Sequence, residues 1–246
     1  YGPETSFTTS VPLATLTSSA NFTAGDNIYM TFNNPANFYI AAEVGVGSSS
    51  IAFKQMGNGT SGIFSFTKEE IDKVYTALEG AESKECIIRL YTHSDSGYTN
   101  YISPFQYKYG TCTQPQRATT SSNADLTIGN SKSIEISNPS GKYVFIDYYI
   151  QKADGTSMWV YSKQAGNATS FTCMLEMGSD VNNTMYQEMS NRTSTPSMIA
   201  VTTFEHSDYT TRIRNFQSVG GTVYINQAIN KPIFTTFTLR NLDKTI

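Results

Sequence analysis

The octad Lys54-Gln55-Met56-Gly57-Asn58-Gly59-Thr60-Ser61 returns 109 residues later as Lys163-Gln164-Ala165-Gly166-Asn167-Ala168-Thr169-Ser170, with six of eight positions identical. A period near 110 residues is the length of one ordinary domain, so the 246-residue chain divides most simply into two copies of one unit. Alone, the octad could be a glycine-rich phosphate loop. A phosphate cradle needs a helix starting directly after the glycines, and here residues 62–67 intervene before the first helical pattern. The octad therefore reads as a glycine-bearing bend between a strand and a connector, with Lys54 and Lys163 solvating a strand edge.

The rest of the duplication follows from this register. Residues 22–40 align without a gap to 126–144, keeping Thr23/Thr127, Gly25/Gly129, Asn34/Asn138, Pro35/Pro139 and Tyr39/Tyr143. Met30 and Phe32 correspond to Ile134 and Ile136, alternating as a half-buried strand requires, and Asn-Pro marks the turn that follows. Ile40, Ala42, Val44 and Val46, like Val144, Ile146, Tyr148 and Ile150, fall on one face of the next strand, which predicts a hairpin in each unit. The alignment offset grows from 104 to 109 by the octad, placing about five inserted residues around 151–157.

A helix is predicted over residues 67–80. Thr67 and Glu70 have capping-box spacing, Ile71, Val74, Tyr75 and Leu78 form a stripe, and Gly80 suits the C-terminal cap. The second copy keeps a weaker version, with Ser179 as cap and Val181, Met185, Tyr186 and Met189 as stripe. Beyond it, Cys86, Ile88 and Leu90 match Ile199, Val201 and Thr203 at an offset of 113, leading into His93-Ser94-Asp95 and His206-Ser207-Asp208. Aromatic strands near 105–109 and 222–225 close the units. Pro12 and Pro115 open them, and Pro232 marks what looks like the start of a third. The expected layout is a lead-in over 1–11, sandwiches over 12–114 and 115–231, and a linker or further repeat over 232–246. The first residue is Tyr1, so either processing removed a natural start or the chain is part of a longer polypeptide.

Composition agrees with an all-β class and narrows the chemistry. Ser and Thr number 60 and Tyr plus Phe number 30, while charged residues are 15% of the chain. A net charge of −3 gives no electrostatic reason to expect nucleic acid, and no apolar run reaches the roughly 20 residues that cross a bilayer. Five Asn-x-Ser/Thr sequons are about the number composition alone yields, so they are no evidence of glycosylation. Cys86, Cys112 and Cys173 are odd in number and far apart, which favours buried free thiols, with a Cys86–Cys112 bridge as the alternative. The His-Ser-Asp triplets are not catalytic triads, because neighbours in a strand face opposite ways; a capped turn is the simpler reading. No metal-ligand spacing, cofactor motif or catalytic residue stands out. Met158-Trp159-Val160-Tyr161 is a sharper candidate: with Val160 as the shared core position, Trp159 and Tyr161 would share one outward face, where they either lie under a loop or neighbouring domain, the simpler reading, or stack on a sugar ring.

At Gln114-Pro115-Gln116-Arg117-Ala118-Thr119, then Leu126-Thr127-Ile128-Gly129 and Ile134-Glu135-Ile136-Ser137-Asn138-Pro139-Ser140, the chain resembles a family. It is similar to the repeated immunoglobulin-like domains in minor structural and tail-fibre proteins of tailed phages of Gram-positive hosts. That resemblance implies a non-enzymatic role in a virion tail, fibre or baseplate, among other tail proteins and as copies around the tail axis, with host-surface glycan as a further partner. The expected fold is two tandem immunoglobulin-like β-sandwiches, each with a short connector helix. The rival readings are a bacterial surface adhesin or pilus-like stalk of the same architecture, and a carbohydrate-binding module of a larger enzyme.

Overall fold

The computed structural model describes residues 12–189 and 192–225, so the lead-in and the 232–246 tail lie outside the described residues. The chain forms two β-sandwiches in tandem, each with an immunoglobulin-like Greek-key course. In the first, β1 (Thr15–Leu16) and β2 (Phe22–Thr23) lead into β3 (Ile28–Asn33), β4 (Tyr39–Val46), β5 (Ser49–Gly57) and β6 (Ser61–Phe64). Helix α1 (Lys68–Leu78), β7 (Ser83–His93) and β8 (Tyr101–Thr113) follow. Strands β1, β3 and β6 make one sheet, and β2, β8, β7, β4 and β5, in that order, make the other.

The second sandwich repeats the course with β9 (Thr119–Thr120), β10 (Leu126–Thr127), β11 (Lys132–Ser137), β12 (Tyr143–Gln151), β13 (Ser157–Gly166) and β14 (Ser170–Leu175). Then come α2 (Ser179–Met189), β15 (Ser194–Phe204) and β16 (Arg212–Tyr224). Its sheets are β14-β11-β9 and β10-β16-β15-β12-β13, the same order in each layer.

Alternation decides which side chains meet between the sheets. Ile28, Met30 and Phe32 of β3 are buried while their neighbours are exposed, and β12 alternates in the same way through Val144, Ile146, Tyr148 and Ile150. Tyr148 is fully buried, and its hydroxyl donates to the Ala124 carbonyl at 2.6 Å. Each core closes on its own set of residues, with one exception: Ile213 of the second domain belongs to the first domain's core.

The octad proves to be the crossover between the two sheets. Its first four residues end β5 or β13, and Gly57 and Gly166 take φ of 81° and 98°, which a side chain would strain. The Asn-Pro turn meets it there. Asn34 Nδ2 donates to the carbonyls of Phe38 (2.9 Å) and Asn58 (3.1 Å), and Asn138 Nδ2 repeats this to Lys142 (2.7 Å) and Ala168 (3.0 Å). The two most recognisable repeats of the sequence are thus two halves of one clamp. The invariant lysines do not simply solvate an edge. Lys54 pairs with Glu70 at 2.8 Å, tying β5 to α1, whereas Lys163 donates to the Met174 carbonyl at 2.7 Å, bridging the sheets.

Helix α1 starts at the predicted capping box: Thr67 accepts from Glu70 N, and Glu70 accepts from Thr67 N at 2.8 Å. It ends with Glu79 itself in the left-handed region at φ 52°, followed by Gly80 at φ 77°. Val74, Tyr75, Ala77 and Leu78 are buried, and Met185 and Met189 are their counterparts on α2. From β6 onward the two domains correspond at an offset of 111, not the 113 that the His-Ser-Asp triplets suggest. Tyr39 pairs with His93 and Tyr143 with Phe204, and the loop residues Tyr98 and Tyr209 both adopt left-handed φ, 56° and 57°. The matching triplets are a coincidence of composition, and His93 occupies the position that Phe204 fills in the second domain. Its ring packs edge-on to Tyr98 at 5.4 Å, with neither nitrogen hydrogen-bonded.

Candidate functional site: an interdomain joint and two sheet faces

Where the domains meet, α1 of the first lies against the loop between β15 and β16 of the second. Glu205, 7% exposed, is the centre of the contact. It accepts from the Tyr75 hydroxyl at 2.6 Å and from Lys142 Nζ at 2.7 Å. Gly25 makes room for it: a Cβ there would fall 2.3 Å from Glu205 Oε1. Burial, then the Glu205 charge, pushes the Tyr75 hydroxyl well above the usual phenol range, so Tyr75 stays a donor.

A second layer surrounds this pair. Asp72 on α1 accepts from the Thr211 hydroxyl at 2.5 Å and lies 2.9 Å from His206 Nε2, while Lys68 pairs with Asp208. Burial raises the Asp72 carboxyl, but the bonds from Thr211 and His206 outweigh it and hold the group below its ordinary value. Ile213, 1% exposed, inserts as an apolar peg. At the linker, the Gln114 side chain donates to Ala81 O at 2.9 Å and accepts from Arg214 N at 2.8 Å, fixing the chain on both sides of Pro115. One of the two His-Ser-Asp triplets therefore has a role, and it is a joint between domains. Asp95 of the other caps its own loop, accepting from Gly97 N at 2.9 Å and Asn100 N at 2.7 Å.

The Trp159 and Tyr161 pair is separated by a bulge. Tyr148 pairs with Tyr161 and Tyr149 with Trp159, so Val160 is an extra residue and the alternation breaks there. Trp159 is 56% exposed, while Tyr161 packs against the core, as its counterpart Ala52 does beside the equivalent bulge in β5. The two rings do not share the solvent face. A bulge leaves no mark in the apolar pattern, so the alternation alone places both rings outward. The Trp159 indole N–H is directed at Ser162 Oγ (2.7 Å) and Asp147 Oδ1 (3.2 Å).

A larger aromatic surface lies on the outer face of the first domain's five-stranded sheet. Phe53, Phe105, Tyr107 and Tyr109 are exposed around a half-buried cluster in which Glu43 accepts from Ser50 (2.7 Å), Arg89 (3.1 Å) and Tyr91 (2.7 Å). Burial opposes ionisation of Glu43, but these bonds win and lower its pKa; burial and the Glu43 bond push the Tyr91 hydroxyl up to about 12. The strict 105/107/109 alternation was the signal that could have found it.

Among the described residues, no group of three or more His, Cys, Asp or Glu could hold a metal, and no helix is long and apolar enough to cross a membrane. Cys86, Cys112 and Cys173 are free and buried; burial pushes the Cys86 thiol up to about 11 and Cys112 to about 12. No family model matches the chain, and no curated protein matches it. Among solved structures the chain is similar to the crystal structure of human mucin-like protocadherin EC1-2, at 10% identity and a TM-score of 0.26, over 86% of this chain and 97% of that one. A TM-score so low carries no argument about function.

Proposed function

We propose that the two sandwiches form a rigid, non-enzymatic segment of a phage tail, tail fibre or baseplate, a spacer that sets the position of neighbouring domains. The joint is the observation that carries this reading. A flexible tether would need only a solvated linker, whereas here a carboxylate, a phenol and an isoleucine are buried where the domains meet, with the half-buried Lys142 ammonium beside them. Burying Glu205 is unfavourable unless its donors are held in place, and since Lys142 of its own domain and Tyr75 of the other both bond it, the contact acts as a lock with one register. The family resemblance of both units supplies the virion context. Copies arranged about a tail axis with other tail proteins would add avidity to weak contacts with host-surface glycan, including those at Trp159. Immunogold labelling of intact particles with an antibody to this segment tests the location. Gold along the tail or its fibres is the expected result, and gold confined to bacterial cell walls would transfer the segment to a surface adhesin.

A further inference from the structure

The duplication provides an internal control for deciding which surface residues the fold requires. On the first domain's outer sheet face, Phe53, Phe105, Tyr107 and Tyr109 are 56%, 41%, 59% and 58% exposed. Their rings, with Tyr91, form an unbroken strip: Phe53 to Tyr91 5.6 Å, Tyr91 to Phe105 5.6 Å, Phe105 to Tyr107 6.2 Å, and Tyr107 to Tyr109 5.5 Å. The second domain builds the same sheet in the same register with Ser162, Thr202, Ser218 and Gly220 where the first has Phe53, Tyr91, Tyr107 and Tyr109. Only Phe216, the counterpart of Phe105, remains aromatic there. The hydrogen-bond ladder and the core therefore do not need these rings, and so much contiguous exposed aromatic surface marks an interaction site.

The chemistry of the strip selects the ligand. Its internal charges, Glu43 and Arg89, neutralise each other at 3.1 Å, so no uncompensated cation is offered to a phosphate or an acidic polymer. What remains is a neutral strip of exposed rings, tilted to one another by 35–72°, with phenol hydroxyls along it and Arg89 paired across the strands with Tyr107. Ring faces stack on the C–H faces of a pyranose, while phenols and guanidinium bond its hydroxyls. Asp147 and Ser162 in the second domain hold the indole of Trp159 instead, and no comparable strip exists among that sheet's described residues.

We propose that the outer face of the first sandwich binds a neutral saccharide chain, with Phe53, Tyr107 and Tyr109 stacking on sugar rings and Arg89 and Tyr91 bonding hydroxyls. This deepens the glycan-contact part of the proposed function and does not depend on the virion location, which the immunogold experiment reads separately. The whole chain is run in native gels containing a neutral glucan, a mannan or a galactan. At least one polysaccharide retards the protein, a Tyr107→Ala/Tyr109→Ala variant loses affinity by about tenfold or more, and a Tyr29→Ala variant, exposed on the opposite sheet, retains it. Both sites are exposed, and an unchanged thermal transition verifies that the double variant is folded. The proposal is overturned if no polysaccharide retards the wild type, or if retardation survives the double substitution. It is also overturned if the wild type dimerises in sedimentation and the double variant does not, because the strip then belongs to a second copy of the chain.

Discussion

Glu205 shows how much of the joint rests on one side chain. Replacing it with Ala leaves the buried Tyr75 hydroxyl and the half-buried Lys142 ammonium without this acceptor, a loss on the order of 3 kcal/mol shared between the contact and the second domain. Calorimetry should then resolve two separate unfolding transitions where the wild type shows coupled ones. Tyr75→Phe removes only the neutral donor and should cost less, about 1 kcal/mol. Asp72 adds a pH dependence. Its carboxyl has a lower pKa in the joint than the ordinary 3.8, so it stabilises the joint above 3.8 and loses that contribution as pH falls through the folded value. Scattering followed from neutral pH down through 3.8 should show the domains separating in angle before either sandwich unfolds. None of these partners was legible as a pair in the sequence, because Asp72 and His206 are 134 positions apart and belong to different copies. What the repeat did expose was Asn34 and Asn138, whose clamp on the octad needs the same amide in both domains.

At the scale of elements, the helices and strands divide by how local their determinants are. Helix α1 was readable to the residue at its start because the capping box is a four-residue geometry, Thr67 to Glu70. Thr67→Ala should cost about 1 kcal/mol and speed hydrogen exchange of the α1 amides. Strand register after the octad was not readable. Two further residues enter between β13 and β14, and the chance His-Ser-Asp match hid them by pulling the alignment past its true offset. The bulge at Val160 escaped for a related reason: an inserted residue keeps the apolar composition while reversing which side chains face inward. Gly110 and Gly221 obey the true offset of 111, and both lie where the early strand crosses the last one. A Cβ would fall 2.5 Å from Ala20 C at Gly110 and 2.4 Å from Ala124 C at Gly221. Gly110→Ala should therefore destabilise the first domain by about 2 kcal/mol or more in denaturant titration, and Gly221→Ala the second.

For the whole molecule, fold class and duplication followed from periodicity, since alternation and turn chemistry act within each copy. The relation between the copies did not, because it depends on surfaces that the two domains do not share: Glu205 and Lys142 occur on the second domain's facing end, where the first has Ser94 and Phe38. That asymmetry gives each sandwich its own task, the first carrying the aromatic strip and the second gripping α1. The spacer role stands or falls on the stiffness of this grip. Spin labels placed by Ser48→Cys and Asp154→Cys, exposed on the two hairpins, measure it by pulsed dipolar spectroscopy, with the three native thiols protected by burial. A single narrow distance distribution, broadened by Glu205→Ala, is the result expected of a locked joint. A wild-type distribution already broad, and unchanged by Glu205→Ala, would contradict it.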